Sequence, residues 1–121
     1  MPGLARFKDL SLDARDHQAL ADWWCRCLGY VRHEPAGEPS RDPAGPVPIV
    51  DPEGAGPLIW VAPVPEPKTV KNRMHLDVVG RTDELVAAGA RLVRARGDDL
   101  RWDVLTDPEG NKFCVFEPAT A

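Results

Sequence analysis

The sequence lacks the features that mark several common classes of protein. No apolar run approaches the roughly 20 residues of a membrane-spanning helix, and the N-terminal segment MPGLARFKDL has no apolar core of the kind found in signal peptides. The net charge is −4 and the pI is near 5.3, so the basic face of a nucleic-acid binder is not expected. We therefore expect a cytoplasmic protein with neither a membrane nor a nucleic-acid partner.

Cysteine is also scarce, with only Cys25, Cys27 and Cys114 in the chain. Cys25 and Cys27 are two residues apart on a predicted helix and would point about 200° away from each other. That arrangement suits neither a disulfide nor a shared metal, so reduced, packed thiols are expected. The chain has 121 residues, 43% hydrophobic and 28% charged, which is typical of one globular domain with a core.

The first half of the chain predicts a strand, a helix and three more strands. The helix begins after Asp16, a good N-cap, and ends at Gly29. Ten of the thirteen prolines lie in residues 35–67, where they limit strands to short pieces. The apolar stripe of the helix consists of Leu20, Trp23, Trp24, Cys27 and Leu28. Strands are predicted at residues 7–13, 30–33, 47–50 and 58–61.

The second half of the chain repeats this order. A helix capped by Thr82 or Asp83 closes near Gly89. Strands are predicted at residues 74–79, 91–94, 101–106 and 112–117.

An Asp-Pro-Glu-Gly turn stands at corresponding places in the two halves, at residues 51–54 and 107–110. The surrounding segments, IVDPEGAGPLIWVAP and VLTDPEGNKFCVFEP, match in the turn, the next apolar run and the closing proline, with one residue inserted in the first. Two such turns indicate an internal repeat with a period of about 55 residues. We expect one domain over residues 1–121, with module one at about 5–66 and module two at about 72–118.

Four segments resemble the glyoxalase, bleomycin-resistance and extradiol-dioxygenase superfamily, also called the vicinal oxygen chelate fold. The segments are DARDHQALADWWCRCLGY, EPKTVKNRMHLDV, LVAAGARLV and WDVLTDPEGNKFCVFEP. The resemblance covers nearly the whole chain. Within the superfamily, the chain is most similar to small bacterial glyoxalase-like domain proteins. The resemblance implies an α+β fold in which two βαβββ modules form paired curved sheets around a cleft that binds small molecules. It also implies a homodimer.

The alternation of side chains divides each first strand into two faces. Leu10 and Leu12, like Leu76 and Val78, are apolar and are expected to face the helices. The alternate residues then face the predicted cleft: Phe7, Asp9, Ser11, His75, Asp77 and Val79.

Metal-dependent members of the superfamily hold their ion with four ligands, one on the first and one on the last strand of each module. By the resemblance these positions match Phe7, a residue within 58–62, His75 and Cys114. The sequence LIWVA at 58–62 offers no ligand, and Asp9 enters the set only if the first strand shifts by two residues. We therefore expect no catalytic metal and no cofactor.

His75, Asp77 and Asp9 are the candidate catalytic residues. A cleft-facing histidine can act as an acid or a base near neutral pH, and two facing carboxylates would raise the pKa of one of them. The alternatives are structural: His75 bonded to Asp77 or Asp9, and each aspartate paired with an arginine such as Arg73. His17 and His33 are expected at the surface.

The remaining candidates would line the cleft. Trp60 and Trp102 can flank a flat ligand, although core packing is an alternative. Cys114 is expected to line the pocket rather than to act as a nucleophile. Lys68, Lys71 and Arg73 can meet an anionic group at the cleft mouth or form a solvated face. The predicted cleft residues are Phe7, Ser11, Trp60, Arg73, Val79, Trp102, Cys114 and Phe116.

Two functions from different classes follow. The first is a metal-independent small-molecule-binding protein, as in family members that sequester antibiotics. The second is a metal-independent isomerase or lyase in which His75 works with Asp9 or Asp77. A divalent-metal lyase or dioxygenase ranks third. The proline-rich loop at 34–46 is a candidate lid over the cleft.

Overall fold

A computed structural model describes residues 3–33 and 42–118. The chain divides into two compact units, unit 1 up to Glu66 and unit 2 from Pro67. Each unit has the predicted order of strand, helix and three strands, so the α+β class is confirmed. Unit 1 contains β1 (Leu10–Ala14), α1 (His17–Leu28), β2 (Val31–Arg32), β3 (Val47–Val50) and β4 (Ile59–Pro63). Unit 2 contains β5 (Leu76–Val79), α2 (Thr82–Ala87), β6 (Arg91–Arg94), β7 (Asp103–Thr106) and β8 (Lys112–Phe116).

Each unit builds one four-stranded sheet with the same topology. The strand orders are β1-β4-β3-β2 and β5-β8-β7-β6. In both sheets the first strand of the unit runs parallel to the last, while the other pairs are antiparallel. The first and last strands of each unit are therefore neighbours, which places their side chains side by side.

The predicted faces of the first strands agree with the burial. Leu10 and Leu12 are half-buried while Ser11 is exposed, and in β5 Leu76 and Val78 are half-buried while Asp77 is exposed. We call the side of each sheet that bears Ser11 or Asp77 its open face. The opposite sides carry five of the largest fully buried side chains, namely Ile49, Val61, Leu105, Phe113 and Val115, whereas the fully buried Pro48 pairs with Trp60.

Helix α1 begins and ends where the sequence predicts. The Asp16 carboxylate accepts a hydrogen bond from the Ala19 backbone N–H at 3.2 Å, and Gly29 takes the left-handed conformation at φ 72°. Within the predicted stripe Leu20 and Trp24 are buried, but Trp23 is only half-buried.

His17 is buried rather than at the surface, and its Nε2 lies 3.1 Å from the Pro43 carbonyl oxygen. This contact replaces the water that a surface histidine would have.

Several strands begin later than predicted. β1 starts at Leu10, so Phe7 precedes it and its side chain is 73% exposed. β5 starts at Leu76, directly after His75, and β7 starts at Asp103, directly after Trp102. The alternation of side chains continues beyond the last ladder pair, which is why the pattern alone overestimates the length of each strand.

The predicted cap of α2 is wrong. The N-cap position is Arg81, with no side-chain hydrogen bond, and the Thr82 hydroxyl instead donates to Asp103. The Asp83 carboxylate accepts only from the N–H of the next residue, Glu84. None of the helical residues is buried. A local rule fails here because a tertiary partner competes for the hydroxyl.

The two Asp-Pro-Glu-Gly turns are present, with Gly54 and Gly110 at positive φ of 74° and 89°. Strand pairing shows that the first turn region contains more extra residues than the single insertion predicted. Nine residues separate the paired Ile49 and Ile59, whereas seven separate the paired Leu105 and Phe113. The first turn region is therefore longer by two residues, and Ile59 corresponds to Phe113.

In the described parts of the chain, neither helix is long and apolar enough to cross a membrane. Of the predicted lid at 34–46, residues 34–41 lie outside the described residues. Residues 42–46 form a turn in which the Asp42 carbonyl accepts from the Gly45 N–H at 2.9 Å.

Candidate functional site

The register of the parallel strands shows which residues occupy equivalent positions on the open faces of the two units. Leu10 pairs with Ile59 in unit 1, and Leu76 pairs with Phe113 in unit 2. Asp9, one residue before Leu10, therefore corresponds to His75. The predicted match of Phe7 to His75 is wrong by two residues, because Asp9, and not Phe7, directly precedes the first ladder pair of β1, as His75 does in β5.

By the same register Trp60 corresponds to Cys114, since each follows the aligned residue of the last strand. In unit 1 the Trp60 indole N–H donates to the Asp9 carboxylate at 3.0 Å, and the Lys8 ammonium donates to the same oxygen at 2.6 Å. The bond from Lys8 is the main cause that lowers the pKa of Asp9. Ser11 lies beside Trp60 in the ladder and is exposed. The partner of Asp9 is thus a lysine and a tryptophan rather than Arg73.

In unit 2 His75 and Asp77 form a direct pair on the open face. His75 Nδ1 lies 3.1 Å from Asp77 Oδ1, and the two side chains are 44% and 57% exposed. The structural alternative considered for His75, a bond to a neighbouring carboxylate, is therefore realised with Asp77. The bond uses only Nδ1, so Nε2 of this partly exposed side chain is left available.

Cys114 joins this pair across the ladder. It is opposite Asp77 in the parallel register, and one ligand-type atom from each of His75, Asp77 and Cys114 lies within 4.8 Å of the others. We call these three residues the His-Asp-Cys cluster. Sequence reasoning placed all three on one face but missed the contact between Asp77 and Cys114. The parallel pairing of first and last strands would have revealed it once the turns were used to align them.

The Cys114 thiol is held in its neutral form. Burial raises its pKa first, the Asp77 charge and the hydrogen bond to Asp77 raise it further, and a hydrogen bond to Trp102 lowers it by less. A thiol of this kind is a poor nucleophile, because the thiolate is the reactive form. The prediction that Cys114 lines the site rather than attacks a substrate is consistent with this chemistry.

An aromatic pair continues the open face beyond Cys114. The rings of Trp102 and Phe116 lie 5.4 Å apart at an interplanar angle of 34°. Val79 pairs with Phe116 in the ladder and is exposed, so it extends the same apolar surface. Trp102 is half-buried and borders the site through Cys114, whereas Trp60 bonds Asp9 in the other unit.

The donor chemistry does not fit the four-ligand metal site implied by the resemblance. Trp60 stands at one ligand position, and an indole N–H donates but cannot coordinate. Asp9, at another position, already accepts from Trp60 and Lys8. The His-Asp-Cys cluster offers three donors, but Cys114 must lose its proton to bind an ion, and its raised pKa opposes that loss.

The structure therefore groups the predicted site residues by unit. Unit 2 brings together six of them on one open face, and unit 1 joins Asp9, Trp60 and Ser11 on the other. Phe7 and Arg73 are exposed and precede the strands. The predicted pairing of Asp9 with Asp77 stays a prediction. The six grouped residues of unit 2 are His75, Asp77, Val79, Cys114, Trp102 and Phe116.

Comparison with known proteins agrees with this architecture. The family model described as "Glyoxalase-like domain" matches residues 9–116. No curated protein matches the sequence.

Solved structures show the same fold at low sequence identity. A glyoxalase/bleomycin resistance protein/dioxygenase family enzyme from Burkholderia phytofirmans PsJN is 20% identical, with a TM-score of 0.67 over 93% of this chain and 98% of that one. The fosfomycin resistance protein FosX from Mesorhizobium loti is 8% identical, with a TM-score of 0.67 over 97% of this chain and 94% of that one. TioX from Micromonospora sp. ML1 is 21% identical, with a TM-score of 0.56 over 92% and 97% of the two chains.

Proposed function

Since the chain belongs to the glyoxalase-like domain family, we propose that it binds a small molecule with an aromatic or amphipathic body and needs no metal to do so. The observation that carries this proposal is the continuous open face of unit 2. There His75 contacts Asp77, and Cys114 is hydrogen-bonded to both Asp77 and Trp102. The Trp102 ring in turn packs against Phe116. A few polar groups beside aromatic surface are typical of small-molecule sites.

Each part of this face has a separate task in binding. The rings of Trp102 and Phe116 cover the apolar body of the ligand, where stacking adds to the effect of burial. Nε2 of His75 and the Asp77 carboxylate supply hydrogen-bonding groups that orient its polar part. Independence from metal is supported by Trp60 at one ligand position and by the protonated thiol of Cys114.

Other family members give this proposal its context. The names of similar structures include a fosfomycin resistance protein and bleomycin resistance family proteins. We propose that this chain likewise binds a small molecule, in the cytoplasm and as a homodimer. Native mass spectrometry of the purified protein would identify any ligand carried in the site and the number of subunits.

N-Phenyl-1-naphthylamine is an uncharged probe with two linked aromatic ring systems. Replacing Trp102 with alanine is expected to weaken its binding by roughly 30-fold, because an aromatic contact of this kind contributes about 2 kcal/mol. Trp102→Phe keeps a ring but loses the bond to Cys114, and it should retain most of the affinity. Probe fluorescence measured with and without EDTA gives both comparisons. Binding that is unchanged in Trp102→Ala, or that disappears with EDTA, would contradict the proposal.

A second function is favoured by one distance, the 3.1 Å between His75 Nδ1 and Asp77 Oδ1. With Nδ1–H donating to Asp77, the Nε2 lone pair can take a proton from a C–H group of a substrate. Asp77 then stabilises the imidazolium, and Nε2 returns the proton to a neighbouring carbon or to a departing oxygen. This is an isomerase or lyase step that needs no oxidant and no metal.

Exchange of ligand hydrogens in D2O separates the two functions without knowledge of the substrate. If the protein only binds, His75→Ala should lower affinity for the copurified ligand by no more than about fivefold, the value of one hydrogen bond. The wild-type protein should then catalyse no carbon-bound exchange, as read by mass spectrometry of the released ligand. Exchange in the wild type that falls at least 100-fold in His75→Ala, with binding intact, would establish proton transfer instead.

A further inference from the structure

The open face of unit 2 also carries cations that the sequence pattern did not single out. Strand pairing places Arg91 of β6 opposite Thr106 of β7, and Thr106 opposite Lys112 of β8. These residues share the open face, because their neighbours in the ladder, Leu105 and Phe113, are buried on the other side. We call Arg91, Thr106 and Lys112 the cationic row.

The geometry of this row suits a single anion. Neighbouring strands are about 4.8 Å apart, so Arg91 and Lys112 flank Thr106 at equal spacing. Both side chains are long enough to converge above the Thr106 hydroxyl, which can donate a third hydrogen bond. His75, one residue before Leu76, continues the row beside Lys112, because Leu76 pairs with Phe113.

The surrounding charges leave the row available for a ligand. Arg94, the other cation of β6 on this face, is already paired with Asp99 at 2.5 Å. In the described part of the chain, neither Arg91 nor Lys112 takes part in an ion pair. Asp107, in the adjoining turn, directs its carboxylate to the N–H groups of Glu109 and Asn111. The chain as a whole carries a net charge of −4, so these two cations stand out.

Three parallel rows thus cross the open face in a fixed order. The cationic row comes first, followed by a row with Val104, Cys114 and Asp77. The rings of Trp102 and Phe116, beside Val79, form the last row. Lys112 and Phe116 are four residue steps apart along β8, which corresponds to about 13 Å between the outer rows.

From this order we infer that the ligand is an organic anion with a hydrophobic ring system, bound with its carboxylate, sulfonate or phosphate-type group at Arg91, Thr106 and Lys112 and its rings at Trp102 and Phe116. This inference rests on the proposed function and names the chemical class of its ligand. The reach of the two cationic side chains shortens the span, so a molecule of two linked rings with one terminal anion fits. The predicted anion site at Lys68, Lys71 and Arg73 stays a prediction, and the inferred site lies on the sheet itself.

Two probes that differ only in charge test the inference. 1-Anilinonaphthalene-8-sulfonate carries the anion, and N-phenyl-1-naphthylamine has the same rings without it. We expect the sulfonate to bind at least tenfold more tightly, with one site per chain, and its affinity to fall as salt is raised because the ion pairs are partly exposed. Energy transfer from the protein's tryptophans to the bound probe, compared between wild type and Trp102→Phe, confirms that the probe lies at this face.

Substitutions then assign the charge. Arg91→Ala and Lys112→Ala should each weaken the sulfonate about fivefold and leave the uncharged probe unchanged, whereas Arg91→Lys should keep most of the affinity. Lys71→Ala removes an exposed cation outside the row and serves as the matched control. Melting temperatures confirm that each variant is folded.

The outcomes distinguish this inference from the proposed function. Equal binding of both probes, lost in Trp102→Ala but unaffected by Arg91→Ala and Lys112→Ala, overturns the anion site and leaves the proposed function standing. Failure of both probes to respond to Trp102→Ala would overturn the two together. An equal loss in Lys71→Ala would show general surface attraction and would also overturn the assigned site.

Discussion

Replacing Asp103 with alanine is expected to lower the free energy of unfolding by about 3 kcal/mol. The Asp103 carboxylate is 5% exposed and accepts hydrogen bonds from the Thr82 hydroxyl at 2.5 Å and from the Arg96 backbone N–H at 2.7 Å. Its loss leaves both donors without their charged partner. Because α2 has no side-chain bond at its N-cap and no buried residue, its start is held by this carboxylate together with that of Glu117, which accepts from the Thr82 backbone N–H.

The pH dependence of this variant follows from the pKa of Asp103. Burial alone would raise that pKa, but the bonds from Thr82 and Arg96 outweigh it and hold it below the ordinary value of 3.8. A lowered folded-state pKa gives stability that is present above 3.8 and is lost as the pH falls through the lower folded value. The difference between wild type and Asp103→Ala should therefore shrink in acid.

Urea unfolding at neutral pH and below pH 3.8 measures both parts. Asp99→Ala is the matched control, because Asp99 pairs with Arg94 on the exposed surface and should change stability by less than about 0.5 kcal/mol. A difference for Asp103→Ala that stays constant with pH would show that the carboxylate charge is not what holds the helix.

The second large effect is expected at the repeated turn. Asp107→Ala should cost about 3 kcal/mol, because the carboxylate is 3% exposed and accepts from the backbone N–H groups of Glu109 and Asn111 at 2.9 and 3.0 Å. The Asn111 side-chain amide donates to it as well, at 3.0 Å. Without the carboxylate, the turn between β7 and β8 loses the acceptor that closes it.

The first copy of the turn supplies a control within the same molecule. Asp51 accepts similar bonds from Glu53, Ala55 and Gly56, at 2.9, 3.2 and 2.9 Å, but it is only half-buried. Water can replace the lost partners there, so Asp51→Ala should cost clearly less than Asp107→Ala. Urea unfolding of both variants tests this order. Asp107→Asn keeps an acceptor oxygen, so its loss in free energy of unfolding should lie between those of Asp51→Ala and Asp107→Ala. An equal loss at both turns would show that burial does not set the cost.

The sequence predicts the site only as far as its local periodicity reaches. Alternation correctly places Ser11 and Asp77 on the faces opposite the half-buried leucines, because each face of a strand repeats every second residue. It cannot show where a strand stops, and Phe7 was included in β1 for that reason. It also cannot measure the insertion between the two turns or the register of the parallel strands, and it is this register that matches His75 with Asp9 rather than with Phe7.

Partner choice is the other limit. The Thr82 hydroxyl looks like a helix cap in sequence, yet it bonds a carboxylate 21 positions away in the chain. Arg91 and Lys112 are equally inconspicuous in sequence, because only the pairing of β6, β7 and β8 makes them neighbours of Thr106.

The sequence by itself thus determined the two βαβββ modules, their turns and the residue types of the open faces, since these depend on spacing along one segment. The tertiary structure alone decided that Cys114 lies against Asp77 and Trp102, that Trp60 donates to Asp9 and that Arg91 and Lys112 share the open face with the rings. The physical reason is that ladder register and burial arise between segments distant in the chain, where no local pattern records the neighbour.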